Sequence, residues 1–123
     1  MTPVKPDWIV IANATRARIL ARERGQPMAV VKPFSHPEGR GKVSDLADEH
    51  ERFATKLGAW LERAAEQGTY RSLALLASSP FLGELKAELG LAAQRLLTVT
   101  HDVDLTAVGP AELEKRILRE LAR

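Results

Sequence analysis

The sequence predicts an α/β domain built on one mixed sheet, and three observations support that prediction. A long amphipathic helix within residues 43–67 leads directly into the apolar run 73–77, as expected of a helix that crosses over a sheet. Three strand-like segments come before this helix. A shorter helix, another apolar run and a last amphipathic helix come after it. The remaining segments must therefore supply the sheet on which the long helix packs.

Composition limits the class of protein. The chain has 123 residues, of which 45% are hydrophobic and 28% charged, so one domain over residues 1–123 with a real core is expected. It has no cysteine, which excludes disulfides and thiolate chemistry. Its apolar runs are too short to span a bilayer, and residues 1–10 lack the apolar stretch of a secretory signal. We therefore expect a cytoplasmic protein with no membrane contact.

The first three segments predict a hairpin meander. Asp7–Ala12 is apolar in both of its alternating sets, which is typical of a central strand. Residues 16–24 place Ala17, Ile19 and Ala21 on one face and mainly arginines on the other, so one face should meet a core and the other mostly solvent or a partner. After a turn at Gly25, residues 28–34 form a third strand that can pair antiparallel with the second.

The long helix and the strand after it predict a crossover unit. Apolar residues recur along the helix at spacings of three, four and seven, and acidic and basic residues fill the rest of its surface. Ser44 or Asp45 is the expected N-cap. Gly68 stands where a residue of left-handed conformation ends a helix. The apolar residues 73–77 then form the fourth strand.

The last third of the chain predicts two more helices and a fifth strand. Ser79 is the expected N-cap of a leucine-rich helix, which ends or kinks at Gly90. Residues 95–100 form the fifth strand, and a final helix starts at Pro110. With right-handed crossovers the spatial order is 3-2-1-4-5, with the second strand antiparallel and three helices. This is the ribonuclease-H-like arrangement.

Three stretches, taken in order, carry a resemblance to a known family: WIVIANATRARIL, then HERFATKLGAWLERAAEQGTYRSLALLASSPFLGELKAEL, then HDVDLTAVGPAELEKRIL. They resemble the bacterial host attachment protein family, which is related to the middle domain of archaeal and eukaryotic peptide-chain release factors. The family name implies a role in attachment to host cells, whereas the kinship implies contact with the ribosome or RNA. The sequence contains no Gly-Gly-Gln, so peptide release is not implied.

The acidic residues do not predict a catalytic centre. A two-metal nuclease on such a fold needs clustered carboxylates, the first within the opening strand. The interior of that strand is apolar, and Asp7 lies at its start, the end remote from where such a metal site would be. Asp102 and Asp104 follow the fifth strand without further acidic partners, and the three histidines lack the spacing of a zinc site. We expect no catalytic residue, no metal and no cofactor.

A first candidate binding site lies where the parallel strands end. Ligands of open α/β sheets bind beyond the carboxyl ends of the strands. Those ends predict an anion or nucleotide site at Asn13, Ser78, Ser79 and His101, with helix N–H groups as donors. The alternative is that these residues only make turns and caps.

A second candidate is a basic surface for RNA or the ribosome. Four arginines share one face of the second strand, and a lysine of the third strand is expected to join them: Arg16, Arg18, Arg22, Arg24 and Lys32. The alternative is a solvated face on which arginine stems cover apolar surface. A third possibility is a protein partner, including a second copy that pairs with an exposed sheet edge formed by the third or fifth strand. The sequence therefore favours a non-catalytic binding protein.

Overall fold

The computed structural model of the protein describes residues 5–35 and 46–122, and these form five strands and four helices. The expected helix cap at Ser44 or Asp45 lies outside the described residues. The elements are β1 (Asp7–Ala12), β2 (Arg16–Arg22), β3 (Ala29–Ser35), α1 (Leu46–Glu66), β4 (Ser72–Ala77), α2 (Phe81–Glu88), α3 (Leu91–Leu96), β5 (Leu97–Asp102) and α4 (Pro110–Leu121). None of these helices is both long and apolar enough to cross a membrane.

The strands form one mixed sheet in the order β3-β2-β1-β4-β5. Both β1 with β2 and β2 with β3 pair antiparallel, while β4 pairs parallel with β1 and with β5. The prediction of a five-stranded ribonuclease-H-like sheet with β1 in the middle is confirmed. Apolar residues in both alternating sets of β1 allowed this prediction, because only a strand covered on both faces needs them.

One face of the sheet is covered by α1, α2 and α3. The apolar stripe of α1 packs there on alternate residues of β1 and β4, and Gly68, at φ +71°, ends the helix as the sequence predicts. The Tyr70 hydroxyl donates to the carbonyl oxygen of Leu61 at 2.8 Å, and the Tyr70 ring stacks on Trp8. Burial raises the pKa of Tyr70 well above its ordinary value.

The opposite face is covered by α4, which corrects one expectation. We expected the arginine-bearing face of the second strand to meet mostly solvent or a partner. Leu20 lies on that face, is only 5% exposed, and belongs to a second core cluster together with Leu113 and Ile117 of α4. Because α4 covers the middle of this face, only the ends of β2 present arginines to solvent.

The described residues contain four helices where the sequence predicts three, and β5 lies two residues later than predicted. The leucine-rich segment breaks at Gly90 into α2 and α3. The carboxylate of Glu62 in α1 accepts hydrogen bonds from the backbone N–H groups of Ala92 (3.2 Å) and Ala93 (2.8 Å). These bonds satisfy two free donors at the start of α3, so a separate helix can begin there. The acceptor is 30 residues away, which local patterns do not reveal.

Candidate functional site

A network of hydrogen bonds joins the end of β1 to the loop before α4. The Asn13 side chain accepts from the backbone N–H groups of Thr15 (2.9 Å) and Arg16 (3.0 Å), which makes the predicted turn. Its amide nitrogen donates to Asp104 at 3.1 Å and to the Thr106 hydroxyl at 3.0 Å. Asn13 is therefore a structural link between two loops, and its own polar atoms have partners.

The segment Asp104-Leu105-Thr106 forms the other half of this network. It lies within the last of the three stretches that resemble the family. The carboxylate of Asp104 accepts from the backbone N–H (2.8 Å) and the hydroxyl (2.6 Å) of Thr106, and Leu105 between them is fully buried. Although burial opposes the change, the hydrogen bonds from Thr106 and Asn13 lower the pKa of Asp104. The segment fixes the loop at residues 104–106 against the sheet.

Ser79 does not cap α2, contrary to the prediction. Pro80 occupies the cap position without a side-chain hydrogen bond. The Ser79 hydroxyl and backbone N–H instead donate to the Asp102 carboxylate at 2.6 and 3.0 Å, and these two bonds lower the pKa of Asp102. The backbone carbonyl of Ser78 accepts from Leu82 at 3.1 Å. A carboxylate thus already holds the donors of Ser79 that an anion would use.

His101 does not join the other three residues of the predicted anion site. It pairs with Leu76 in the register of β4 and β5, and therefore faces α4. Its Nδ1 atom lies 3.4 Å from a carboxylate oxygen of Glu120, while its Nε2 atom is buried without a hydrogen-bond partner. Because Asp102 and Asp104 line the strand ends, the edge is acidic. Anion binding at Asn13, Ser78, Ser79 and His101 stays a prediction that this geometry does not favour.

The arginines of the predicted basic surface fall into two groups. Arg16 is exposed at the start of β2, beside Arg18. Arg22 is exposed at the end of the strand, and Arg24 follows in the turn. Arg22 lies six steps along the strand from Arg16, which corresponds to roughly 20 Å. The buried Leu20 lies between the two groups, so they do not form one continuous row.

Lys32 lies on the opposite face of the sheet from these arginines. It pairs with Ile19, which packs in the core under α1, and its ammonium lies 5.2 Å from the ring centre of Phe34 and 5.5 Å from that of Trp60. The expectation that Lys32 extends the arginine row is therefore wrong. Side chains alternate along a strand, and the bulge between Ile19 and Leu20 changes the register, which the sequence did not reveal.

Arg18 is held by the loop before α4. Its Nη2 atom donates to the carbonyl oxygens of Thr106 at 2.8 Å and Val108 at 3.3 Å. A cavity of about 570 Å³ opens beside this contact, at the corner of the sheet where β2 begins and β3 ends. Its lining includes both guanidinium-bearing residues of this end, Arg16 and Arg18. No local sequence pattern indicates this cavity, because its walls come from segments 88 residues apart.

The fold defines the class of protein: a ribonuclease-H-like α/β domain whose central strand, β1, is buried and apolar. A family profile described as "Protein required for attachment to host cells" matches residues 46–117, more than half of the chain. The chain therefore belongs to that family, as its sequence resemblance predicts. No curated protein matches the chain.

Solved structures confirm the resemblance to release factors at the level of fold. The archaeal translation termination factor aRF1 matches with a TM-score of 0.55 and 16% identity, over 95% of this chain and 39% of that one. Dom34 of S. cerevisiae, a translation termination-like factor, matches with a TM-score of 0.50 and 8% identity, over 94% and 34%. A Ppx/GppA phosphatase of Aquifex aeolicus matches with a TM-score of 0.50 and 11% identity, over 79% and 36%. The chain thus spans about two fifths of the aRF1 chain.

Proposed function

We propose that the protein is a non-catalytic binding domain that contacts the RNA of the translation machinery through the exposed arginines of β2 and its turn. The observation that supports this most is that Arg16, Arg22 and Arg24 are exposed and form no salt bridge with any described carboxylate. Exposed guanidinium groups bind phosphate with two parallel hydrogen bonds, and here the charges of Arg16 and Arg22 also act on the carboxylates of Asp104 and Asp7. The fold of two translation termination-type factors supports the same partner class.

The rigidity of β2 strengthens this proposal. Ile19 and Leu20 are buried on opposite faces of the sheet, so the strand between the two arginine groups is fixed by both cores. Fixed strand ends hold the backbone of Arg16 and Arg22 at a constant separation, which lowers the backbone entropy lost on binding a phosphate chain. The two groups would then contact phosphates roughly 20 Å apart.

The test is a filter-binding titration against ribosomal RNA at several salt concentrations. Replacing Arg16, Arg22 and Arg24 with Gln should weaken binding and reduce the slope of log affinity against log salt by about 2–3, because each lost phosphate contact releases about one counterion fewer. The matched control replaces Lys115, Arg116 and Arg119 of α4 with Gln, which removes the same charge from another surface. Equal losses in both variants would show a net-charge effect and contradict the proposal.

A protein partner is the second candidate, and one observation favours it. The edge strand β3 exposes two consecutive valines, Val30 by 57% and Val31 by 40%. A second copy of the chain could cover it, although Pro33 and the bulge in β3 are features that oppose strand pairing at an edge. Sedimentation equilibrium should then show a dimer that Val30→Lys converts to a monomer. A monomer at high concentration would rule this out.

A further inference from the structure

The cavity at the corner of β2 and β3 combines two cationic residues with apolar walls. Among the described residues that line it, Arg16 and Arg18 are the charged ones, and none is acidic. The accessible apolar lining comes from Pro33, Ala107 and Val108. We propose that this cavity binds a small organic oxyanion, a carboxylate or a phosphate monoester, that carries an apolar body.

The position of Arg18 supports an oxyanion ligand. Its Nη2 atom is committed to the carbonyl oxygens of Thr106 and Val108, which holds the guanidinium in place. The Nε–H and Nη1–H groups make no hydrogen bond within the described part of the chain and lie in a residue that lines the cavity. A guanidinium fixed by two carbonyls loses little side-chain entropy when it binds a second partner. Arg16, exposed beside it, supplies the second positive charge.

The size and the walls of the cavity support an apolar body on that anion. A volume of about 570 Å³ lies within the range of small-molecule sites, which are mostly apolar with a few fixed polar groups. Pro33 and Ala107 are exposed and Val108 is half-buried, so these side chains supply the apolar surface that a ligand can reach, whereas Ala17 and Phe34 are packed in the core under α1. The loop wall is fixed by the network of Asn13, Asp104 and Thr106. An inorganic anion alone would leave this apolar surface uncovered.

This site shares Arg16 with the RNA contact proposed above, whereas Arg22 and Arg24 lie outside the cavity. A variant that fills the cavity and keeps every arginine separates the two. Ala107 is exposed and lines the cavity, so Ala107→Trp places an indole there without changing the charge. It should abolish binding of the small anion and leave RNA binding unchanged.

The experiment is a backbone NMR titration of the full chain with phenyl phosphate, benzoate, inorganic phosphate and benzyl alcohol. We expect saturable shifts at residues 16–18, 33–34 and 106–108 with phenyl phosphate or benzoate, and affinity at least about tenfold weaker for inorganic phosphate and benzyl alcohol. Whichever aromatic anion binds more tightly identifies the oxyanion. Arg16→Gln should weaken binding about tenfold, whereas the matched control Arg22→Gln, on the same strand outside the cavity, should not.

Two outcomes would overturn the proposal. One is benzyl alcohol binding as tightly as phenyl phosphate and benzoate, which would show that the arginines contribute nothing. The other is the absence of saturable shifts at the cavity residues with either aromatic anion. Retained binding in Ala107→Trp would also contradict it, provided that the spectrum of this variant shows a folded protein.

Discussion

Val10→Asp is expected to destabilise the protein by about 6 kcal/mol at neutral pH and by about 3 kcal/mol in acid. Val10 is fully buried in the central strand, between the antiparallel β2 and the parallel β4. A buried carboxyl without a partner has a pKa well above its ordinary value, so keeping it charged at pH 7 costs about 4 kcal/mol. Losing the buried valine adds about 2 kcal/mol. The sum approaches the whole free energy of unfolding of an ordinary domain, about 5–15 kcal/mol.

The destabilisation by Val10→Asp should increase with pH, and the pKa of the new carboxyl explains why. The folded-state pKa of the new carboxyl lies above its unfolded-state pKa, so the charge penalty grows as the pH rises through the interval between them and disappears below it. Urea unfolding followed by circular dichroism should therefore give a difference from the parent protein that is about 3 kcal/mol smaller at pH 4.5 than at pH 7. The control is Val30→Asp at an exposed position of β3. If both variants are equally stable at pH 7, β1 is not a buried central strand.

This strand also shows why the fold could be predicted from the sequence. The apolar run of β1, the arginine alternation of β2 and the long stripe of α1 are local patterns, and each reports which face of an element is buried. Connection lengths and the right-handed crossover rule then leave few arrangements of five strands. The order and direction of the strands follow from these constraints without any knowledge of side-chain contacts.

The candidate sites could be predicted less well, because long-range hydrogen bonds decide them. Ser79 stands at a position typical of a helix cap, yet its hydroxyl donates a hydrogen bond to the carboxylate of Asp102, 23 residues away. Arg18 has the sequence of a solvent-facing strand residue, yet it bonds to a loop 88 residues away. In each case a carboxylate or a carbonyl from a distant segment competes with the local arrangement. A hydrogen bond that involves a charged group is stronger than the single neutral hydrogen bond of a helix cap. The distant partner therefore determines where the side chain points.

His101 and Lys32 show a second limit of prediction from the sequence, which concerns the face of the sheet that a side chain occupies. His101 follows a strand pattern that places it near the strand end, but the two parallel pairings fix which face it occupies, and that face lies under α4. Lys32 is displaced in the same way by the bulge in the pairing of β2 with β3. A shift of one residue in register moves a side chain to the other face of a sheet. Site predictions that depend on a face therefore fail where the register is not yet known.

The close approach of α1 and α2 leads to the second large expected effect, at Gly58. A Cβ atom at this position in the middle of α1 would lie 2.7 Å from Cβ of Glu88 and 3.0 Å from its carbonyl oxygen, at the end of α2. Gly58→Val should therefore destabilise the protein by about 3 kcal/mol, because branched carbon atoms meet backbone that cannot yield without moving a helix. The closely packed core around Leu57 and Leu61 limits such a movement.

A paired alanine comparison isolates the helix contact from helix propensity. Gly83 in α2 has open space where its Cβ would be, so Gly83→Ala should stabilise the protein by about 0.5–1 kcal/mol through propensity alone. Gly58→Ala has the same propensity gain but should destabilise the protein by about 1 kcal/mol, because overpacking outweighs that gain. Urea midpoints of the two variants should thus move in opposite directions. If Gly58→Ala stabilises the protein as much as Gly83→Ala, then α1 and α2 do not approach each other at Gly58, and the glycine there has no packing role.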